Sequence, residues 1–88
     1  MQLDDMTRHN ISCLTLNNLG CLYNKLNYGR VALEYFLQVL RLEELLKADS
    51  VSLASTMLNI CSNLSRDKKH KEAEAYAARA ILLLNEDI

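Results

Sequence analysis

One stretch of this chain is repeated at a constant spacing, and the repetition constrains the fold more than any other feature. Residues 15–23 return in altered form as residues 56–64, and residues 28–36 return as residues 69–77. Both matches share one offset of 41 positions, with no gap between them. This indicates a duplicated supersecondary unit. Such units bury their apolar faces against their neighbours, so the sequence predicts a solenoid that holds other molecules and gives no sign of catalysis.

Composition limits the size of the core and the kinds of partner. The chain has 88 residues, half of them apolar, which predicts one domain or a part of one with a thin core. Two repeats fall short of the roughly three that usually form a stable array, so we expect further repeats or self-association. A net charge of −1 argues against nucleic acid or an anionic membrane as the main partner, since these normally require a strongly basic face. We therefore expect a protein partner.

Hydropathy and cysteine content predict a cytoplasmic protein. No window approaches the ~18 uninterrupted apolar residues of a membrane span, and residues 1–10 lack the pattern of a secretory signal. The chain has three cysteines, an odd number that does not form a disulfide framework and suits a reducing compartment.

Periodicity predicts an all-α fold of antiparallel helix hairpins. The chain has no proline and only two glycines, so nothing forces strands or long loops. Asn10 is the predicted N-cap of the first helix, and Asp49 or Ser50 that of the third. Apolar stripes predict helices over about residues 11–26, 30–47, 51–65 and 69–85. The predicted organisation is a frayed segment or linker over 1–9, a first repeat over 10–49 and a second over 50–88.

The first repeat carries a specific motif. The motif resembles the tetratricopeptide repeat signature in both residue types and spacing. Its residues are Leu16, Leu19, Gly20 and Tyr23, followed by Ala32 and Phe36. Small residues at positions 20 and 32 predict a close crossing of the two helices, with large aromatic side chains filling the space beside it. The period exceeds the ~34 residues of ordinary tetratricopeptide repeats and resembles the longer variety of kinesin light chains and nephrocystin. A HEAT-type array, with repeats of ~40–47 residues, is the alternative fold.

The resemblance implies a concave groove lined by the first helix of each repeat. Asn18 and Asn59, one repeat apart, are expected to offer a donor and an acceptor each to the backbone of an extended peptide. Lys25 and Arg66 are expected to hold an acidic group. The groove positions are Leu14, Asn17, Asn18, Cys21, Asn24 and Lys25, then Ser55, Asn59, Ser62, Asn63 and Arg66.

Other interpretations stay open for these residues. The asparagines could hydrogen-bond a neighbouring helix or face water, and the segment could serve only to cap its neighbours. Alternatively, the chain is a structural spacer that docks by its convex face in a large assembly, and analogy with nephrocystin-like relatives suggests a cytoskeletal or ciliary one. For a spacer, we expect harmful substitutions on the outer, second helix of the first repeat. Those positions are Glu34, Tyr35, Gln38 and Arg41.

Chemical sites find little support in the sequence. His9 and Cys13 lie at i and i+4 and share a helical face, but no other metal ligand converges on them in sequence. No glycine-rich elbow or oxyanion motif accompanies a cysteine and histidine, so we expect neither an enzyme nor a bound metal or cofactor. The charged run over residues 66–71 is expected to be a solvated turn, with a small basic lip for an acidic partner as the functional alternative.

Overall fold

The computed structural model describes residues 4–86, and it confirms the predicted all-α fold of helix hairpins. Each helix packs against the next along the chain, which makes two hairpins that stack through the second and third helices. The short connections make consecutive helices antiparallel. No strand and no helix long and apolar enough to cross a bilayer occurs within 4–86. The helices are α1 Asp5–Lys25, α2 Gly29–Leu45, α3 Ser50–Arg66 and α4 His70–Glu86.

The start of α1 differs from the prediction. The helix begins at Asp5, so residues 5–9 are helical where a frayed segment was expected, and the N-cap is Asp4 instead of Asn10. The cause is local, because the Asp4 carboxylate accepts a hydrogen bond of 2.6 Å from the backbone N–H of Thr7. This bond lowers the pKa of Asp4. The part of the predicted segment over residues 1–3 lies outside the described residues.

Asp49 caps α3 in the same way, as the sequence predicted. Its carboxylate accepts a hydrogen bond of 2.8 Å from the backbone N–H of Ser52, and this lowers its pKa. An aspartate at an N-cap satisfies one of the amide groups that have no partner inside the helix. The Asp49 side chain thus marks where α3, the first helix of the second hairpin, begins.

The turns inside and between the hairpins depend on residues with left-handed backbone angles. Asn27, Lys47 and Lys68 have φ values of 69°, 54° and 61°. Each follows the end of a helix, where a left-handed residue closes the last turn. Gly29 has no positive φ and opens α2, so Asn27 makes the break between the first two helices.

The close contact inside the first hairpin lies where the motif predicts it. Ala32 is fully buried and Phe36 is 2% exposed, while Gly20 is the buried residue of α1. A Cβ atom added to Gly20 would lie 2.7 Å from Cε1 of Phe36, closer than van der Waals contact permits. Glycine is therefore required here by the distance between α1 and α2. The buried core also contains Leu40, Ala54, Met57, Ile60, Leu64, Ala73 and Ala80.

Tyr23 joins this core from its edge. It is half-buried, packs against the core cluster and stacks on Tyr35 with 5.6 Å between the ring centroids. Tyr28 packs edge-on against the Tyr23 ring, with 6.2 Å between the ring centroids. Tyr23 therefore packs against both other tyrosines near the turn between α1 and α2.

Candidate functional site

The predicted groove face is made of two stripes with identical spacing. Residues 14, 18, 21 and 25 lie on one face of α1, because steps of four and three residues keep side chains on one side of a helix. Residues 55, 59, 62 and 66 repeat this spacing on α3, displaced by the repeat offset. Two hydrogen bonds between side chains connect α1 and α3, and one of them involves the stripe residue Asn59.

The first of these bonds joins two of the predicted groove residues. The Nδ2 atom of Asn59 donates to Oδ1 of Asn17 across 3.2 Å. Both side chains are half-buried. An amide has two N–H donors and an oxygen that accepts, so the pair keeps the Nδ2 donors of Asn17 and the Oδ1 acceptor of Asn59. We call these two residues the asparagine pair.

A second bond network involves Asn63, whose role is structural. Asn63 is only 4% exposed. Its Nδ2 atom donates to Oδ1 of Asn24 at 3.1 Å and to the backbone oxygen of Gly29 at 2.9 Å. These bonds connect α3 to the first hairpin, and Asn63, which is buried and uses its amide nitrogen in both bonds, has little capacity left for a ligand.

Arg66, the last residue of α3, makes further hydrogen bonds to the end of α1 and the turn after it. One terminal nitrogen, Nη1, donates to the backbone oxygen of Asn24 at 3.2 Å, and the other, Nη2, donates to Oδ1 of Asn27 at 3.1 Å. The side chain is exposed nonetheless. Its repeat-related counterpart Lys25 is also exposed, and its side chain makes no hydrogen bond or ion pair within the described part of the chain.

Asn18 and Asn59, which the sequence predicted to act together, have different surroundings in the two repeats. Asn59 is half-buried in the asparagine pair, whereas Asn18 is exposed and makes no side-chain hydrogen bond to residues 4–86. The structure therefore brings Asn59 together with Asn17 instead of giving Asn18 and Asn59 equal surroundings. Of the other predicted positions, Leu14, Ser55 and Ser62 are exposed, and Cys21 packs against the core.

One cleft contains residues that the sequence did not assign to the site. Its volume is about 310 Å³, and it lies where the end of α1, the start of α2 and the end of α3 meet. Arg30 and Lys69 line it beside Arg66. Lys69 belongs to the basic turn noted in the sequence, but Arg30 is distant from that turn in sequence, and no local pattern connects them.

A second cleft, of about 230 Å³, lies at the other end of the first hairpin and contains Cys13 and Glu43. Burial raises the pKa of the Cys13 thiol, and the nearby Glu43 carboxylate raises it further. Because the thiolate is the nucleophile, a raised pKa makes Cys13 less reactive. Within 4–86, no group of three or more metal-ligating side chains forms around His9 or elsewhere.

Glu43 is the acidic group whose titration should be visible in stability. Burial raises its pKa; the hydrogen bond from Thr56 acts against this, and Asp49 raises it further. The folded state therefore holds this proton more tightly than the unfolded state. Its contribution to stability is complete below the unfolded pKa of 4.5 and is lost as pH rises through the folded pKa.

We accordingly expect Glu43→Gln to raise Tm relative to wild type at pH 7, with a difference that shrinks toward pH 4. Thermal melts followed by circular dichroism between pH 4 and pH 7 measure this. Glu34→Gln, on the exposed surface of the same helix, removes the same charge and serves as the control. A difference between the two variants that does not vary with pH would contradict the raised pKa.

Comparison with known proteins identifies the repeat. Residues 7–52 match the sequence model of the tetratricopeptide repeat family. The matched region covers most of α1, all of α2 and the beginning of α3, which is more than half of the chain. No curated protein and no solved structure matches the chain.

Proposed function

Because the chain belongs to the tetratricopeptide repeat family, a non-catalytic fold of protein–protein interaction modules, we propose that it binds an extended peptide segment of a partner protein. The segment lies in the concave groove between the stripes of α1 and α3. The observation that carries this proposal is the asparagine pair, which is held in place by its own hydrogen bond and still offers donors and an acceptor.

The asparagine pair matches the chemistry of a peptide backbone. An extended segment presents N–H and C=O groups, and Asn59 Oδ1 accepts from the first while Asn17 Nδ2 donates to the second. Their bond of 3.2 Å orders both side chains before a ligand arrives, which reduces the entropy that binding costs. A groove of this kind recognises a segment with little demand on its sequence.

The residues around the pair suit a segment of mixed polarity. Asn18, Ser55 and Ser62 are exposed and small or polar, so they leave room for side chains and supply further hydrogen bonds. Leu14, at 63% exposure, offers one apolar contact. Lys25 and Arg66 lie at the corresponding ends of the two stripes and give that end of the groove a positive charge.

We expect removal of the asparagine pair to weaken peptide binding by about 5- to 150-fold, since two hydrogen bonds contribute roughly 0.5–1.5 kcal/mol each. A peptide selected against the wild-type protein from a random display library provides the ligand. Its Kd is then compared between wild type and Asn17→Ala/Asn59→Ala by isothermal titration calorimetry. The double substitution removes both members of the pair, so that neither is left without its partner.

The matched control is Glu34→Ala/Gln38→Ala, which removes two exposed polar side chains from α2 on the opposite face. Circular dichroism establishes that both variants keep the wild-type helix content. Loss of affinity in the control, with none in the groove variant, would contradict the groove and support convex-face docking. Equal affinities for all three proteins would contradict both surfaces.

A second function, as a structural spacer in a larger assembly, is favoured by exposed apolar side chains on α3 and α4. Leu40 on α2 is 5% exposed beneath the second hairpin, but Ile81, one repeat later, is 57% exposed. Leu58, Leu82 and Leu84 are also exposed, between 38% and 63%. Under this proposal, a further repeat or an assembly subunit covers these side chains, and the protein remains cytoplasmic.

A further inference from the structure

The cleft of about 310 Å³ between the two hairpins concentrates positive charge at one end of the groove. Three cationic side chains, Arg30, Arg66 and Lys69, line it together with one carboxylate, Asp67. The cleft therefore has a net charge of +2 in a chain whose net charge is −1. An excess of one sign in a concave site attracts ions of the other sign.

The carboxylate in the cleft neutralises only one of these cations. Asp67 Oδ2 lies 3.8 Å from Nζ of Lys69. The partners of Arg66 are neutral oxygens of Asn24 and Asn27. Arg30 makes no ion pair to any residue between 4 and 86. Two guanidinium charges therefore face the cleft without a compensating anion.

Arg66 is also held in position for a ligand. Its two hydrogen bonds, at 3.2 Å and 3.1 Å, use two of the five N–H donors of a guanidinium group. The other donors stay available, and the side chain is already ordered, so a bound oxyanion costs less conformational entropy there. Guanidinium groups match the geometry of carboxylate and phosphate oxygens.

The helix ends around the cleft have opposing effects. The start of α2 has no side-chain cap and no acidic residue in its first turn, so unpartnered amide groups put partial positive charge there. The ends of α1 and α3 bring carbonyl groups of opposite polarity. Two of these carbonyl oxygens already accept hydrogen bonds, that of Asn24 from Arg66 and that of Leu64 from the Lys69 amide. The attraction for an anion comes chiefly from the side chains.

We propose that this cleft binds an oxyanion group, a carboxylate or a phosphoryl group, on the peptide segment that lies in the groove. Arg66 belongs both to the α3 stripe and to the cleft lining, so a segment that runs along the groove reaches the cleft at this residue. The source of the oxyanion depends on the proposed function. The anion site itself depends only on Arg30, Arg66 and Lys69.

The first test uses small anions and the whole chain. In NMR titrations of the ¹⁵N-labelled protein with inorganic phosphate and with acetate, we expect saturable shifts at the backbone amides of Gly29 and Arg30. Arg30→Gln is expected to weaken phosphate binding by about fivefold or more, since charge-assisted hydrogen bonds are the strong ones. Arg41→Gln, which removes the same charge from an exposed position on α2, should leave it unchanged. Equal weakening by both variants, or shifts without saturation, would overturn the site.

The second test identifies the source of the oxyanion. The peptide selected for groove binding is prepared with glutamate, phosphoserine or alanine at the position nearest Arg66, as found by NMR. We expect the two acidic peptides to bind more tightly than the alanine peptide, and Arg30→Gln to abolish that preference. If phosphate binds the cleft but the three peptides bind with equal affinity, the proposal that the oxyanion lies on the peptide is overturned. If all three peptides nevertheless shift the NMR signals of Asn17 and Asn59, the proposed groove is still supported.

Discussion

Gly20→Leu is expected to lower the free energy of unfolding by about 1–3 kcal/mol or more, because the new side chain has no space between α1 and α2. Even a single Cβ atom would lie 2.7 Å from Cε1 and 2.9 Å from Cδ1 of Phe36. Phe36 is 2% exposed, so its ring cannot turn outward to make room. Helix propensity alone would favour leucine over glycine by roughly 1 kcal/mol, so a loss of stability shows that the contact dominates.

The other glycine provides the control for this prediction. A Cβ atom added to Gly29 meets Nδ2 of Asn63 at 3.9 Å, an ordinary contact. Urea unfolding followed by circular dichroism should therefore rank stability as Gly29→Ala above Gly20→Ala above Gly20→Leu. If Gly20→Leu has the wild-type midpoint, the close crossing of the first two helices is wrong, and with it the repeat register.

The opposite change at the same contact, Phe36→Ala, is expected to cost about 3–5 kcal/mol. The substitution leaves a cavity between α1 and α2, and in a thin core few neighbouring side chains can move to fill it. Domains of this size are typically stable by only about 5–15 kcal/mol, so the variant should lose a large part of its stability. Thermal and urea melts of the purified variants measure the loss.

Two further variants make this prediction specific. Tyr28→Ala removes an aromatic ring that is 59% exposed, and it should cost much less than Phe36→Ala. Gly20→Ala/Phe36→Ala combines the added methyl group with the space that receives it, so its cost should be smaller than the sum of the single costs. Additive costs for Gly20 and Phe36 would mean that the two residues do not touch.

Most of the fold could be predicted because it depends on local patterns. Apolar periodicity marks all four helices, and the motif identifies Gly20, Ala32 and Phe36 as one contact. The start of α1 was missed because it depends on one hydrogen bond, from the Thr7 amide to Asp4. Residues 5–9 carry no apolar stripe that would have indicated a helix there.

The candidate site was less predictable because it depends on how the hairpins pack. A repeat offset relates Asn18 to Asn59, but it does not say which side chain of α1 lies across from Asn59. The packing places Asn17 there, one position away. In the same way, Arg30 lines one cleft with Lys69 and Arg66 only because the two hairpins stack. Contacts between distant segments need the structure.

The most direct test of the proposed groove observes the side-chain amide signals of the asparagine pair. The selected peptide is added to ¹⁵N-labelled protein, and the NH₂ resonances of asparagine and glutamine are followed by NMR. We predict large shifts at Asn17 and Asn59 and none at Gln38 on α2 or Asn85 on α4, which are both exposed. A peptide that shifts Gln38 and leaves the asparagine pair unchanged would contradict binding in the groove.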